Sequence, residues 1–309
     1  VRRAIARRAG LALCLASVAG AQARDALPSQ LRMRVANGPV TWWESAHAPR
    51  QWSVASPVVG AALPWRDGCR GVSWAELELE GSGEAARLRL IVVRLDPARL
   101  RLGVLWGVGE DARPAWSLRR VPRDACFAVN AGQFVSSLPW GWVVAGGVER
   151  LSPGHGPLSS ALIVHRDGTV RMLDGDALDA PRRDSTVIAA FQSYPTLLRT
   201  DGAVPAALFA PCAIDCAHRD ARLAIGVDRA GHVLVAMTRF DAVGASLGFI
   251  PLGLTVPEMA AVMGAVGAAQ AVLLDGGISA QMLVRDDRGV SHTWPGVRRV
   301  PLALAAWVR

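Results

Sequence analysis

From Gly71 to the C-terminus the chain is a succession of short apolar runs, many repeating every second residue, cut by turns bearing glycine and aspartate. A period of two puts alternate side chains on opposite faces of a strand, so this rhythm commits the region to β-sheet. "VSWAELELE" reads as a half-exposed strand, "RLRLIVVRLD" and "ARLRLGVLWG" as two more, and "CFAV" as an apolar strand delivered into Asn130, Ala131 and Gly132. "GWVVAGGVER", "SALIVHRDGTVRML" and "RLAIGVDRAGHVLVAMT" read as hairpins, the last two turning at "RDG" and "RAG".

Helical patterning is scarce. "PAWSLRRVPRD" suggests one short helix, and "GLTVPEMAAVMGAVGAAQ" a longer one near the C-terminus. In the latter, Thr255 and Glu258 have the spacing of a capping box, and Pro257 sits early, where its missing N–H is harmless. Met259, Val262, Met263 and Val266 recur at helical spacing as a core stripe, and Gly267 ends the helix. The fold class expected is therefore α+β: a mixed β-sheet core of hairpins with a few packed helices, in a single main domain over residues 71–309.

Two segments precede that domain. In residues 1–23, Arg2, Arg3, Arg7 and Arg8 lead into "AGLALCLASVAGA" and an "AQA" ending at Ala23. A basic start, a short apolar run and a small-residue cleavage site are the parts of a secretory signal peptide, so an exported mature chain from Arg24 is expected. Residues 24–70 are rich in Pro and Trp without a sustained period and read as an irregular leader packed over the domain. Trp42, Trp43, Trp52 and Trp65 suit either packing or a sugar platform, packing being the commoner use.

The formal charge of +8 contains no lysine. Removing the four arginines of residues 1–23 leaves 30 basic against 26 acidic residues, a net +4 scattered along the chain. That distribution gives nucleic-acid binding no support, and no later segment has the apolar length of a membrane span. Four cysteines follow residue 23. In an oxidising compartment an even count favours disulfides: Cys212–Cys216 in "CAIDC" is the pairing expected, with Cys69–Cys126 left over. With no metal cluster and no Gly-rich nucleotide loop evident, neither a metal nor another cofactor is expected.

The chemistry concentrates in "AVLLDGGISAQMLV". A buried strand stops on Asp275, drops two side chains at Gly276 and Gly277, and then offers the hydroxyl of Ser279. A tight turn would explain Asp-Gly alone; its place after a capped helix and a strand marks it equally as a functional loop.

Together these segments resemble the phosphodiester glycosidase family. The matches run in family order: "CFAVNAGQF", "FQSYPTLL", "RLAIGVDRAGHV", then "GLTVPEMAAVMGAVGAAQAVLLDGGIS" and finally "VRRVPLALA". The chain departs from the family pattern at Gln133, Tyr194, Ile278 and Ala280. The resemblance implies a hydrolase that breaks the bond between a sugar's anomeric carbon and a phosphate oxygen, in an envelope or extracellular glycan such as an exopolysaccharide. Its partner would be a carbohydrate or glycan phosphodiester.

Such a reaction needs donors for the diester anion and a base or nucleophile near the anomeric carbon. On the resemblance, Arg222 offers a bidentate fork to phosphate and should face Asp275 across a phosphodiester-sized gap. Asp275 is the candidate carboxylate. Gly276 and Gly277 would leave N–H groups open to an anion, with Ser279 as a further donor. Asn130 would bind a sugar hydroxyl or hold a turn beside Gly132, and Gln192 is a second polar candidate. The competing class is a non-catalytic glycan-binding or matrix-assembly protein on the same scaffold.

Overall fold

The computed structural model describes residues 29–309 apart from 83, 84, 86, 210, 211, 213–215 and 241–251. The segment read as a signal peptide lies outside the described residues. Among those described, 21 strands stand against three α-helices, Pro57–Ala62, Asp179–Arg183 and Val256–Ala265. The molecule is thus more sheet-rich than a balanced α+β fold.

Three sheets carry it. The large one has nine strands, ordered Thr196–Leu198, Ala268–Leu274, Leu223–Asp228, Val233–Phe240, Leu88–Leu95, Val72–Gly81, Gln30–Val35, Gly38–Glu44, with Arg66–Asp67 also paired to Val72–Gly81. The second runs Val148–Leu151, Val143–Ala145, Val187–Ser193, Ser160–His165, Val170–Asp174. The third runs Ser291–Trp294, Met282–Arg285, Phe127–Asn130, Leu302–Val308, Leu100–Trp106. Every pairing described between these strands is antiparallel. The mixed sheet expected from the sequence is corrected accordingly, since short hairpin turns return the chain antiparallel whereas parallel pairs need long crossovers.

The large sheet is covered on both faces, which explains why "LRLIVVRL" runs apolar almost without a break. Ile91, Val93 and Leu95 face the second and third sheets, meeting Phe127, Phe191 and Leu304 in one core. Leu90 and Val92 point the other way, into a core shared with Met259, Val262 and Met263 of the helix. Each fully buried Val, Leu or Ile contributes about 1.5–3 kcal/mol, so the methionine stripe is core. The helix opens with the capping box: Thr255 N–H donates to Glu258 Oε2 at 2.9 Å and Glu258 N–H to Thr255 Oγ1 at 3.3 Å. Glu258 is wholly buried and takes a two-pronged bond from Arg219 at 2.7 and 2.8 Å. Gly267, at φ +103°, then turns the chain into the strand that ends at Asp275.

The described part of the leader, from residue 29, holds regular strands. Gln30–Val35 pairs with Gly38–Glu44 and with Val72–Gly81, extending the large sheet. Its alternation was present in "QLRMRV", whose Leu31 and Met33 are buried while Gln30, Arg32 and Arg34 are exposed, but the run is too short to sustain a period by itself. Trp43 is buried, Trp42 packs against the same core, and Trp52 lies where a side chain on Gly264 would have to go. Trp65 is more exposed and carries Arg94 over its ring at 5.0 Å. Two disulfides close the covalent framework, Cys69–Cys126 and Cys212–Cys216, each with a Cα separation of 5.9 Å.

Candidate active site

Strand ends from all three sheets converge on Asp275. The large sheet delivers it directly after Ala268–Leu274, and its N–H donates to Gly132 O at 3.0 Å. Gly132, at φ +66°, follows the third-sheet strand that ends in Asn130. From the second sheet, Val187–Ser193 runs into Tyr194 and Pro195, whose carbonyl accepts from Leu273 N–H at 3.0 Å.

Asn130 is the clamp of this junction. Its side-chain amide donates to Asp275 O at 2.8 Å, and its Oδ1 accepts from Gln281 N–H at 2.9 Å. The residue is only 1% exposed, so both bonds act in a dry setting where an unmade one would be expensive. Asn130 thereby fixes where the Asp275 backbone sits and holds both flanks of the glycine loop.

The carboxylate itself faces a guanidinium. Arg298 Nη2 lies 3.3 Å from Asp275 Oδ2, while Arg298 Nε donates to Ser279 Oγ at 2.7 Å. Burial pushes the Asp275 carboxyl above the ordinary carboxylate range, and Ser279 and Arg298 act against that shift. The Asp275 side chain keeps 22% of its surface open, and Arg298 keeps 47%. An acid and a cation are therefore held together where both side chains remain partly open. The guanidinium lies over the Phe134 ring at 4.5 Å, which limits where it can go.

The glycine loop is shaped by what passes beneath it. A Cβ on Gly276 would sit 2.4 Å from Ala221 O, and Gly277, at φ +54°, has Asp220 Oδ2 at 3.0 Å from where a Cβ would be. The Gly277 N–H donates to Ala221 O at 2.7 Å. This amide is therefore bonded within the fold instead of open to an anion, because the loop rests on the approach to Leu223–Asp228. Asp220, on that approach, has a carboxyl pushed upward by burial, opposed by Arg222 and raised further by Asp275.

Arg222 stands on the same approach. Its Nε donates to Leu254 O at 2.9 Å and its Nη2 to His218 O. The guanidinium that engages Asp275 is Arg298, in the "VRRVPLALA" segment. Gln192, 1% exposed, has its Oε1 accepting from Trp142 N–H at 2.6 Å and Gly154 N–H at 2.9 Å. Its role visible here is to join backbone segments of the second sheet. Gln133, one of the departures, donates to Tyr194 O at 3.1 Å. Tyr194, another, meets Trp140 edge-on at 5.3 Å, and burial and the Asp275 charge both raise its phenol pKa. Arg298, Asp220 and Tyr194 were thus the neighbours that spacing alone could not assign.

The described residues contain no group of three His, Cys, Asp or Glu arranged to hold a metal, and no described helix is long and apolar enough to cross a membrane. A family model described as phosphodiester glycosidase matches residues 123–307. No curated protein matches the sequence. Among solved structures, the chain is similar to the zebrafish N-acetylglucosamine-1-phosphodiester α-N-acetylglucosaminidase catalytic domain auto-inhibited by its pro-peptide. The TM-score there is 0.58 at 16% identity, covering 85% of this chain and 94% of that one. It is also similar to a hypothetical protein from Synechocystis, with a TM-score of 0.51 at 17% identity over 91% of this chain and 68% of that one. At such identities the likeness is one of fold.

Proposed function

We propose that this chain, which belongs to the phosphodiester glycosidase family, hydrolyses the sugar–phosphate bond of a sugar-1-phosphodiester in an envelope or extracellular glycan. The observation that carries the reading is the Asp275 carboxylate held at an opening by Arg298 and Ser279. A diester must be met by a cation and the anomeric carbon by a carboxylate, and these are the two groups that the junction of the sheets brings together.

In this mechanism Arg298 turns from Asp275 to the diester oxygens, and its fork fits them in a way a point charge would not. Losing that partner raises the affinity of Asp275 for a proton as substrate binds, which suits a general base removing a proton from water. Water adds to the anomeric carbon as the C–O bond to phosphate breaks. Phosphate is a good leaving group, so little acid assistance is required. Asn130 positions Asp275 through its backbone, and Ser279 steadies both Asp275 and Arg298. Trp140 and Tyr194 supply an aromatic wall against which the apolar face of a pyranose packs.

Export is part of the same proposal. Two disulfides suit an oxidising compartment, and the arginine-led apolar N-terminal segment suits passage to one. The reading is tested by incubating the protein with diesters of N-acetylglucosamine, glucose, galactose and mannose 1-phosphates, together with UDP-sugars, and measuring free sugar. Release from at least one, lost in Asp275→Asn, is expected. Binding of these diesters without turnover would instead favour the glycan-binding protein on the same scaffold.

A further inference from the structure

The polar centre of the site has an apolar border. Ile278 immediately precedes Ser279, and Val297 immediately precedes Arg298, so each flanks one partner of the Arg298–Ser279 hydrogen bond beside the Asp275 carboxylate. The two segments are tied together, Val297 N–H donating to Ile278 O at 2.8 Å. Yet Ile278 is 41% exposed and Val297 59%. Beyond Arg298 stands Phe134, which opens a small hairpin, Phe134–Val135 with Leu138–Pro139. The outer face of that hairpin presents Val135 and Leu138, both exposed. Isolated exposed apolar side chains are ordinary, but a joined pair, each one residue from the Arg298–Ser279 hydrogen bond and beside an apolar hairpin, is a feature to be explained.

Neither the sugar nor the phosphate explains it. A hydroxylated ring and an anionic diester gain from donors, acceptors and aromatic faces, not from a branched aliphatic border. The remaining part of the substrate is the alcohol on the far side of the phosphate. We infer that this alcohol is a hydrocarbon, so that the substrate is a lipid-type sugar-1-phosphodiester whose chain leaves the site across Ile278 and Val297. The inference rests on the phosphodiester glycosidase reading above and adds to it the class of the leaving group. Hydrolysis breaks the bond from the anomeric carbon to the phosphate oxygen. Water supplies the new hydroxyl on the sugar, and its other proton passes through Asp275 to the departing alkyl phosphate monoester or to solvent.

The test uses methyl, butyl and octyl diesters of the sugar 1-phosphate most readily hydrolysed in the panel above, each below its micelle concentration. A fully buried methylene is worth roughly a three- to fourfold gain in affinity, and a chain lying on an open border realises part of it. The expected result is a kcat/KM at least about tenfold higher for octyl than for methyl. In Ile278→Ser/Val297→Ser that advantage should shrink to about twofold, with methyl-diester turnover retained and folding checked by urea unfolding. Cleavage of the methyl diester with no chain-length dependence overturns the lipid inference and leaves the glycosidase reading standing. Undiminished chain-length dependence in the double variant also overturns it, because the chain then lies elsewhere. Failure to cleave any diester in the panel removes both.

Discussion

Replacing Asn130 by Asp changes one atom in the clamp and should make stability depend on pH in a way that can be calculated. In the wild type, Nδ2 donates to Asp275 O at 2.8 Å and Oδ1 accepts from Gln281 N–H at 2.9 Å. A carboxylate can still accept from Gln281, but its second oxygen would meet a carbonyl oxygen with no hydrogen between them. At 1% exposure the residue cannot turn to water. The variant therefore does best by taking up a proton on folding, which restores a donor. For a carboxyl of ordinary pKa, about 3.9, keeping that proton at pH 7 costs at most about 4 kcal/mol, or about 1.4 kcal/mol for each pH unit above it. The folded state binds the extra proton, so stability falls as pH rises above about 4 and recovers as pH returns there. Urea unfolding of variant and wild type at several pH values between 4 and 7 measures the difference directly. Asn130→Ala is the control: it orphans two buried backbone groups, about 1–3 kcal/mol each, with no such pH dependence. A difference that is flat with pH, or under about 1 kcal/mol at pH 7, would refute the clamp.

Asp275→Asn should reduce turnover by at least about a hundredfold while leaving stability at neutral pH unchanged or improved. The carboxyl that burial pushes upward disfavours folding once ionised, so the gain should fade as pH drops toward the unfolded-state value. Arg298→Gln removes a charge that holds the Asp275 pKa down, and the acidic limb of the kcat/KM profile should move to higher pH; an unmoved limb counts against the pairing. Arg219→Ala leaves the wholly buried Glu258 carboxylate without its partner and should cost about 3–5 kcal/mol by urea unfolding. Cys69→Ala/Cys126→Ala opens a loop spanning 57 residues and should cost about 4 kcal/mol on the chain-entropy model.

Much of the fold could be read from local patterns. The capping box at Thr255 and Glu258, the helix it starts and the strand leading to Asp275 all follow from neighbours within a few positions. The turns "RDG" and "RAG" announced their hairpins for the same reason. The leader strand Gln30–Val35 was harder, because a six-residue alternation gains its meaning only from the sheet edge it joins. The site divides in the same way. Asp275 is a candidate on its loop alone, whereas Arg298 approaches it through a turn of the fold 23 positions later. Nothing in the spacing of arginines distinguishes it from Arg222, whose guanidinium is drawn to the carbonyls of Leu254 and His218. That Asn130 clamps the junction depends on a contact spanning 145 positions, and no short-range pattern encodes such a contact.

The meeting of three sheets at Asp275 also bears on how the protein reaches its working state. Asn130 comes from the third sheet, Tyr194 follows a strand of the second, and Asp275 ends a strand of the large one. Joining them closes chain loops of great length, a slow and late step for a nascent chain because the entropy must be surrendered before the contacts form. No excised sheet contains the whole constellation. Under the proposed function, recovery of turnover during refolding would therefore report the final docking of the layers, and a partly assembled chain would be silent toward substrate however much native strand it had already formed.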